Sequence, residues 1–534
     1  MKIFFLLLTI LPAGATQYIK PPVVTAGAEF GAAIAIDSDT MVIGSPKEND
    51  STGAAYIYTK DNGQWIFQSR LEATDKESGF RFGSSVAISG DTIVIGSPAH
   101  GDSSGSFFVD PSGAAYVFVR VNGTWAQQQI LIGNNTGDSD NFGTSVAIDV
   151  DTIAIGARFE AGPGNTMTDS GAAYVFSRSG TTWTQQAYLK ATDTSPLDEF
   201  GTAVAVSGNT VAVGAPFGDI TEHDEGAVHI FEKGSAWNQA GILLAMDLSA
   251  GDFFGTSLAL SGQTLLIGAR GQDSFAPGSG AAYIFEKSSG AWKQEARLKA
   301  SPASPNAAFG TSVALSGERA VCGAPGESKN GNNSGSAWHF HRDSSGWGSR
   351  IRLLGDFDTA GDGFGGAVAV SGLEVGIGAK GEDAAGNSSP DSGAAFTFTL
   401  FPNSFSEWTA ERKLTGSDAL EDADPDHDGI PNLLTYALGS GGTIPVFNSG
   451  SLGFSRSTTI PVDAILHIEQ STDLITWDEL ARRGDPAPWT GDFAANVSEI
   501  AQSGIITVTA LPDDPQPAEP ALFMRLKATR LPDN

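Results

Sequence analysis

Three carboxylates stand at alternate positions, Asp424, Asp426 and Asp428, with Gly429 directly behind them. Calcium takes roughly six to eight oxygen ligands, and side chains at the first, third and fifth places of a loop converge on it when a glycine then turns the chain. Ile430 could add its carbonyl and Asn432 its side chain. Thr435 stands where a bidentate glutamate would close the shell, so the site is expected to be weak or completed from elsewhere. The other reading of the same residues is a solvated acidic linker.

Other reactive side chains are scattered. His339 and His341 flank Phe340 and point to one side of an expected strand, an arrangement that would suit a metal or a base. Carboxylate pairs such as Asp219 with Glu222, or Glu382 with Asp383, could serve acid–base chemistry or be no more than surface charge. No serine sits in a G-x-S-x-G string at an expected strand-to-helix turn. The best candidates for ligand contact are acidic and aromatic residues of Gly-rich stretches: Asp102, Phe107, Phe108, Asp110, Phe159, Asp169, Phe217 and Asp219.

What must position these residues is a repeat. Phe-Gly pairs begin at Phe30, Phe82, Phe142, Phe200, Phe254, Phe309 and Phe364, between 52 and 60 residues apart. Each opens one pattern, as in FGSSVAISGDTIVIGSP followed by GAAYVFVRVNGTW, and each parses into four short strands. Seven such units predict an all-β, seven-bladed propeller with one copy per blade. From FG to the glycine of GSP, GAP, GAR or GAK is always 14 residues, whereas from that glycine to the one before the third strand is anything from 9 to 17. Length is fixed where strands pair in register and free where a loop need only close. The variable loops 47–52, 99–112, 158–170, 217–225, 270–279, 326–334 and 380–392 are therefore expected on one face, the functional one. Trp65, Trp125, Trp183, Trp237, Trp292 and Trp347 open fourth strands and are expected to be buried between blades. Tyr18-Ile19-Lys20 reads as a truncated fourth strand, and Trp408–Leu414 as a late copy pairing into the first blade to close the ring.

These units resemble the FG-GAP repeat, in its bacterial variant with a GAAYVF third strand, and are more distantly similar to the propeller of integrin α-subunits. The resemblance covers about residues 17–414 and implies an extracellular propeller used for binding or adhesion, sometimes beside an enzyme. The integrin-type calcium loops between strands one and two are replaced by SGDT, SGNT or SGER, too short and too poor in carboxylates for a cation. The segment from Asp422 to Gly439 resembles the calcium loops of dockerin and thrombospondin type 3 repeats, and the linkers before C-terminal domains of exported bacterial proteins.

Residues 1–15 read as a signal peptide: Lys2, an apolar run Ile3–Leu11, and Ala13-Gly14-Ala15 as the cleavage site. The propeller is expected over 16–414, the acidic linker with its calcium-loop-like motif over 415–442 and a small C-terminal β-sandwich over 443–534. A formal charge of −30 repels phosphate backbones and anionic lipid, so neither nucleic acid nor a membrane is an expected partner. Cys322 is the one cysteine, so no disulfide framework supports an exported fold. The expectation is a secreted or cell-surface monomer, non-enzymatic, presenting its loops to an extracellular glycan or protein, with calcium in the linker. A propeller hydrolase or lyase with a site at the central depression is the alternative, and a structural surface component the third. The inner strands SVAIS, AVAVS, SLALS and SVALS are monotonous, whereas an enzyme should concentrate unusual polar residues there.

Overall fold

The computed structural model describes residues 17–101, 112–162, 166–343, 346–355, 359–383 and 389–400, together with seven strands between 446 and 530. The repeats fall in one compact unit, Gly14–Phe398, and the later strands in another. In the second unit Val446–Asn448, Ser451–Ser457, Ile505–Ala510 and Val497–Gln502 form a four-stranded antiparallel sheet. Asp478–Gly484, Ala464–Ser471 and Phe523–Arg530 form one of three strands. The acidic linker, and with it Asp424, Asp426, Asp428, Ile430 and Asn432, lies outside the described residues.

The first unit is a propeller of seven four-stranded antiparallel sheets. Blade 3 is typical, with Phe142–Asp149, Thr152–Ala157, Ala172–Ser179 and Thr182–Leu189 in consecutive order. Pairing is in register, apart from shifts between Phe142 and Ser145 in the inner hairpin and between Val175 and Phe176 in the outer one. The β-branched and aromatic content of these segments suits two-sided burial, and their alternating residues enter two different cores. In the core between blades 3 and 4, Ala173, Val175 and Leu189 meet Phe200, Val204, Val206 and Phe231. Among the described residues the apolar clusters lie between neighbouring blades.

The glycines of the repeat mark where blades touch. A Cβ on Gly44, Gly96, Gly156, Gly214, Gly268, Gly323 or Gly378 would lie 1.9–2.1 Å from the carbonyl oxygen of the next blade's FG glycine. Only hydrogen fits there, all the way round the ring. On the tight-turn face a second ring closes. The N–H groups of Ser38, Gly90, Val150, Gly208, Gly262, Gly317 and Gly372 donate to side-chain oxygens of Ser371, Asp37, Ser89, Asp149, Ser207, Ser261 and Ser316, each in the preceding blade, at 2.5–3.4 Å. The serine of SGDT and the aspartates that replace it are acceptors in this necklace.

Two expectations need correction. The ring is closed by the amino-terminal strand Gln17–Ile19, which takes the outer position of blade 7 beside Ala394–Thr399, with Tyr18 opposite Phe396. Blade 1 already has a full outer strand of its own, Gln64–Leu71, so no late copy is needed there. Trp408–Leu414 lies outside the described residues. Of the six tryptophans, Trp65, Trp125 and Trp183 are buried, but Trp237, Trp292 and Trp347 are half-buried, packed at the edge of their cores with indole N–H groups unbonded. The difference is local. Gln68 and Gln128 accept from the Trp125 and Trp183 indoles, at 3.2 and 3.0 Å, which ties those rings to the preceding blade.

His339 is a core residue and not a ligand. It is 4% exposed, pairs in register with Val321 and Ile351, and occupies the strand position that holds Ile57, Val117, Val175, Ile230 and Ile284 elsewhere. Both ring nitrogens lack partners, and burial, with smaller contributions from Arg319 and His341, lowers its pKa to about 3. The folded value lies below the unfolded one, so the neutral ring costs least above about pH 6.5, and stability falls as the pH drops below that. His339→Val removes two unsatisfied polar atoms from an apolar site. It is expected to raise stability by about 1–3 kcal/mol at pH 7, read as a higher urea midpoint, and by more at pH 5.

Candidate functional site: the loop face of the disc

Antiparallel pairing puts the loops between second and third strands on the same face as the connections that lead to the next blade's FG pair. The two are stitched together. Gly53, Gly113, Gly171, Gly280, Gly335 and Gly393, at the ends of variable loops, bridge Phe82, Phe142, Phe200, Phe309, Phe364 and Phe30. Loop length can therefore vary while both feet stay fixed.

Beneath the loops lies a recurrent buried acid, four residues beyond the glycine of the GAP-like triplet. Glu48 accepts from the Tyr56 hydroxyl at 2.7 Å and from Arg70 at 2.8 Å. Glu160 accepts from Tyr188 at 3.0 Å and from Lys190 at 2.7 Å. Glu382 accepts from Tyr18 at 2.7 Å and is paired with Lys20, and Glu327 with Arg352 at 2.5 Å. Each of these residues is 7% exposed or less, and each carboxylate is paired with a cation and accepts a hydrogen bond from a hydroxyl. Such groups pin loops to the blade; the pair Glu382–Asp383 noted in the sequence divides accordingly, Asp383 instead accepting from the Asp391 N–H at 2.9 Å.

A second buried acid stands two residues before FG in four blades: Asp140, Asp198, Asp252 and Asp362. Each caps its own turn, accepting from the N–H of Gly137, Ser195, Ser249 or Thr359. Desolvation nonetheless pushes Asp140, Asp198 and Asp252 up to about 6, against the turn N–H, with carboxylates nearby adding to the rise. Raised carboxyls are a mark of acid–base sites. Their repetition at one framework position makes these turn caps. Because the folded pKa exceeds the unfolded one, the contribution to stability is complete below about pH 4 and is lost as the pH rises through 6. Asp252→Asn should therefore gain relative to the parent between pH 5 and pH 7.5 in urea unfolding. An unchanged difference at the two pH values would show that Asp252 is ionised throughout.

Asp102, Phe107, Phe108 and Asp110 lie outside the described residues. The other four candidates are on this face but do different things. Asp169 has φ of +52° and gives its carbonyl to the Glu199 N–H at 3.0 Å. Asp219 accepts from the Asp224 N–H at 2.7 Å, and stands in an exposed group with His223 and Asp224. Phe159 lies half-buried under the Arg158 guanidinium, 4.3 Å from ring centre to Cζ. Phe217 packs edge-on against Phe253 at 5.2 Å, and Arg270 covers the same Phe253 ring at 5.0 Å. Phe275, also on this face, is held between Arg297 and Lys299.

Arg158, Glu199, Phe253 and Arg270 were not singled out from the sequence, although a signal existed. The third residue of the triplet is proline in GSP and GAP but arginine at 158 and 270, next to the residue that precedes FG in the neighbouring connection. Arg158 approaches Glu199 to 3.7 Å. Burial pushes the Glu199 carboxyl up, and Arg158 and, more weakly, Arg270 oppose that rise. The side chains form two groups, Arg158 with Phe159 and Glu199, and Phe217 with Phe253 and Arg270, and the charge of Arg270 is felt at Glu199.

Among the described residues no helix is long and apolar enough to cross a membrane. No curated protein matches the sequence significantly. Among solved structures, an alpha-L-arabinofuranosidase from Clostridium thermocellum is similar at 10% identity and a TM-score of 0.22, over 50% of this chain and 94% of that one. The FG-GAP repeat model matches residues 15–58, 65–118, 125–176, 183–231, 237–285 and 292–340, more than half of the chain. With seven blades built on interlocking FG and GAP-like glycines, the protein belongs to the FG-GAP repeat family.

Proposed function

We propose that this is an exported binding protein that engages an extracellular partner through the variable-loop face of its propeller. The contrast between the faces supports the reading. On the tight-turn face the polar groups around the centre are committed to the necklace between blades. On the loop face, aromatic rings and arginines stand half-exposed on loops whose feet are pinned by buried acids. The buried carboxylates that would be the first choice for catalysis are taken up as loop anchors and turn caps, which favours binding over hydrolysis. The reading includes the signal peptide of residues 1–15, a single chain as the working unit, and a calcium ion in the Asp424–Asn432 loop that stiffens the linker.

A protein and glycan array probed with the purified chain would find the partner, and a loop transplant would test the face. Replacing 158–170 by the seven residues 46–52 of blade 1 places Glu48 where Glu160 was, so the anchor is retained. Binding should be lost with little change in melting temperature, because shortening a loop alters its closure entropy only slightly. If binding survives the transplant but fails on changing the Asn62-Gly63 or Asn122-Gly123 turns, the faces have been assigned the wrong way round.

A further inference from the structure

We propose that the two groups formed by Arg158, Phe159, Glu199, Phe217, Phe253 and Arg270 make a carboxylate-binding site, which takes a polypeptide segment presenting an acidic group beside an apolar or aromatic side chain. The inference rests on the loop-face reading and deepens it. Six arginines of the disc, Arg70, Arg120, Arg178, Arg297, Arg342 and Arg352, donate to carboxylates at short range. Arg158 and Arg270 do not. Among the described residues Arg158 has only Glu199, at 3.7 Å and beyond hydrogen-bond reach, and its Nε is sequestered from solvent without a partner. Arg270 is exposed, lies against the face of Phe253, and among the described residues is in no ion pair.

Both guanidinium planes are held by phenyl rings, which fixes their forks while leaving the donors unused. A planar carboxylate matches such a fork with two parallel hydrogen bonds. Phe159, Phe217 and Phe253 are half-buried in the same two groups, so the acid should carry an apolar group to lie against them. The charge of the chain chooses between classes of ligand. At −30, with Asp169, Asp219 and Asp224 on the surrounding loops, a polymer with an acid on every unit is repelled, whereas a polypeptide can offer one carboxylate amid neutral or basic residues.

The test uses the full chain and two small probes, N-acetyl-L-phenylalanine and its neutral amide, followed by saturation-transfer NMR titration. The acid should bind and the amide should bind at least about tenfold more weakly, the usual scale for a charge-assisted pair. Arg158→Gln with Arg270→Gln should abolish binding of the acid, with the melting temperature nearly unchanged. Glu199→Gln should tighten it, because Arg158 then loses its internal competitor; a purely structural role would not give opposite signs. Equal binding of acid and amide, or survival of binding in the double variant, overturns the inference. Retention on a polygalacturonate gel that depends on both arginines would overturn the polypeptide assignment. Array ligands that are lost in the loop transplant but kept by the double variant would sink this site while leaving the loop-face function standing.

Discussion

Gly201→Ala is expected to cost at least about 4 kcal/mol, beyond the range of ordinary single substitutions, or to prevent folding. Gly201 follows Phe200 in blade 4, has φ of +95°, and would place its new Cβ 2.2 Å from the Ala172 carbonyl oxygen and 3.2 Å from the Ala157 nitrogen of blade 3. Those are backbone atoms of strands fixed by their own ladders, so relief requires parting two blades. Gly180→Ala is the control. It has φ of +62°, but nothing lies within 4 Å of the added methyl, so only the left-handed conformation is penalised, at about 1–2 kcal/mol. Urea unfolding of both variants gives the comparison. Equal losses would mean that the FG glycine is chosen for its φ alone and that blade contact plays no part.

That contrast also shows why so much of the fold was legible. The FG and GAP-like glycines recur because each meets backbone from an adjacent blade, and such a contact tolerates no substitution in any of seven places. The serine before each inner turn recurs because it accepts a hydrogen bond from the next blade, and aspartate can replace it, as Asp37 and Asp149 do. What repeats in the structure repeats in the sequence. The site was less legible for the same reason. Arg158 and Arg270 matter through Phe159 and Phe253, and Phe253 lies in a different stretch of its repeat from Arg270. Spacing along the chain does not reveal that the residue before FG meets the triplet's third residue; the close packing of connection on loop does. The closure was misread because a three-residue strand, Gln17–Ile19, carries less sequence pattern than Trp408–Leu414, although its side chains reach both Trp65 and Glu382.

Those commitments make the amino-terminal strand the point at which the disc should open. Gln17 exchanges two hydrogen bonds with the Trp65 backbone, both at 2.8 Å, and so ties blade 7 to blade 1. Lys20 pairs with Glu382 and donates to Ser392 Oγ at 2.8 Å and the Gly393 carbonyl at 2.7 Å. The Glu382 side chain is 5% exposed, so removing Lys20 leaves a buried carboxylate without that counter-charge. Lys20→Met is therefore expected to cost about 3–5 kcal/mol. Deleting residues 17–20 should cost more, since it also uncovers the edge of Ala394–Thr399 and removes the bonds of Gln17 to Trp65 and of the Lys20 carbonyl to Tyr58, which join the last blade to the first. Limited proteolysis should then cut within blade 7 and proceed around the ring. Deletion of Trp408–Leu414 supplies the contrast. If that deletion opens the disc to protease while Lys20→Met leaves it resistant, closure runs through the far end of the chain and the outer strand of blade 7 has been wrongly assigned.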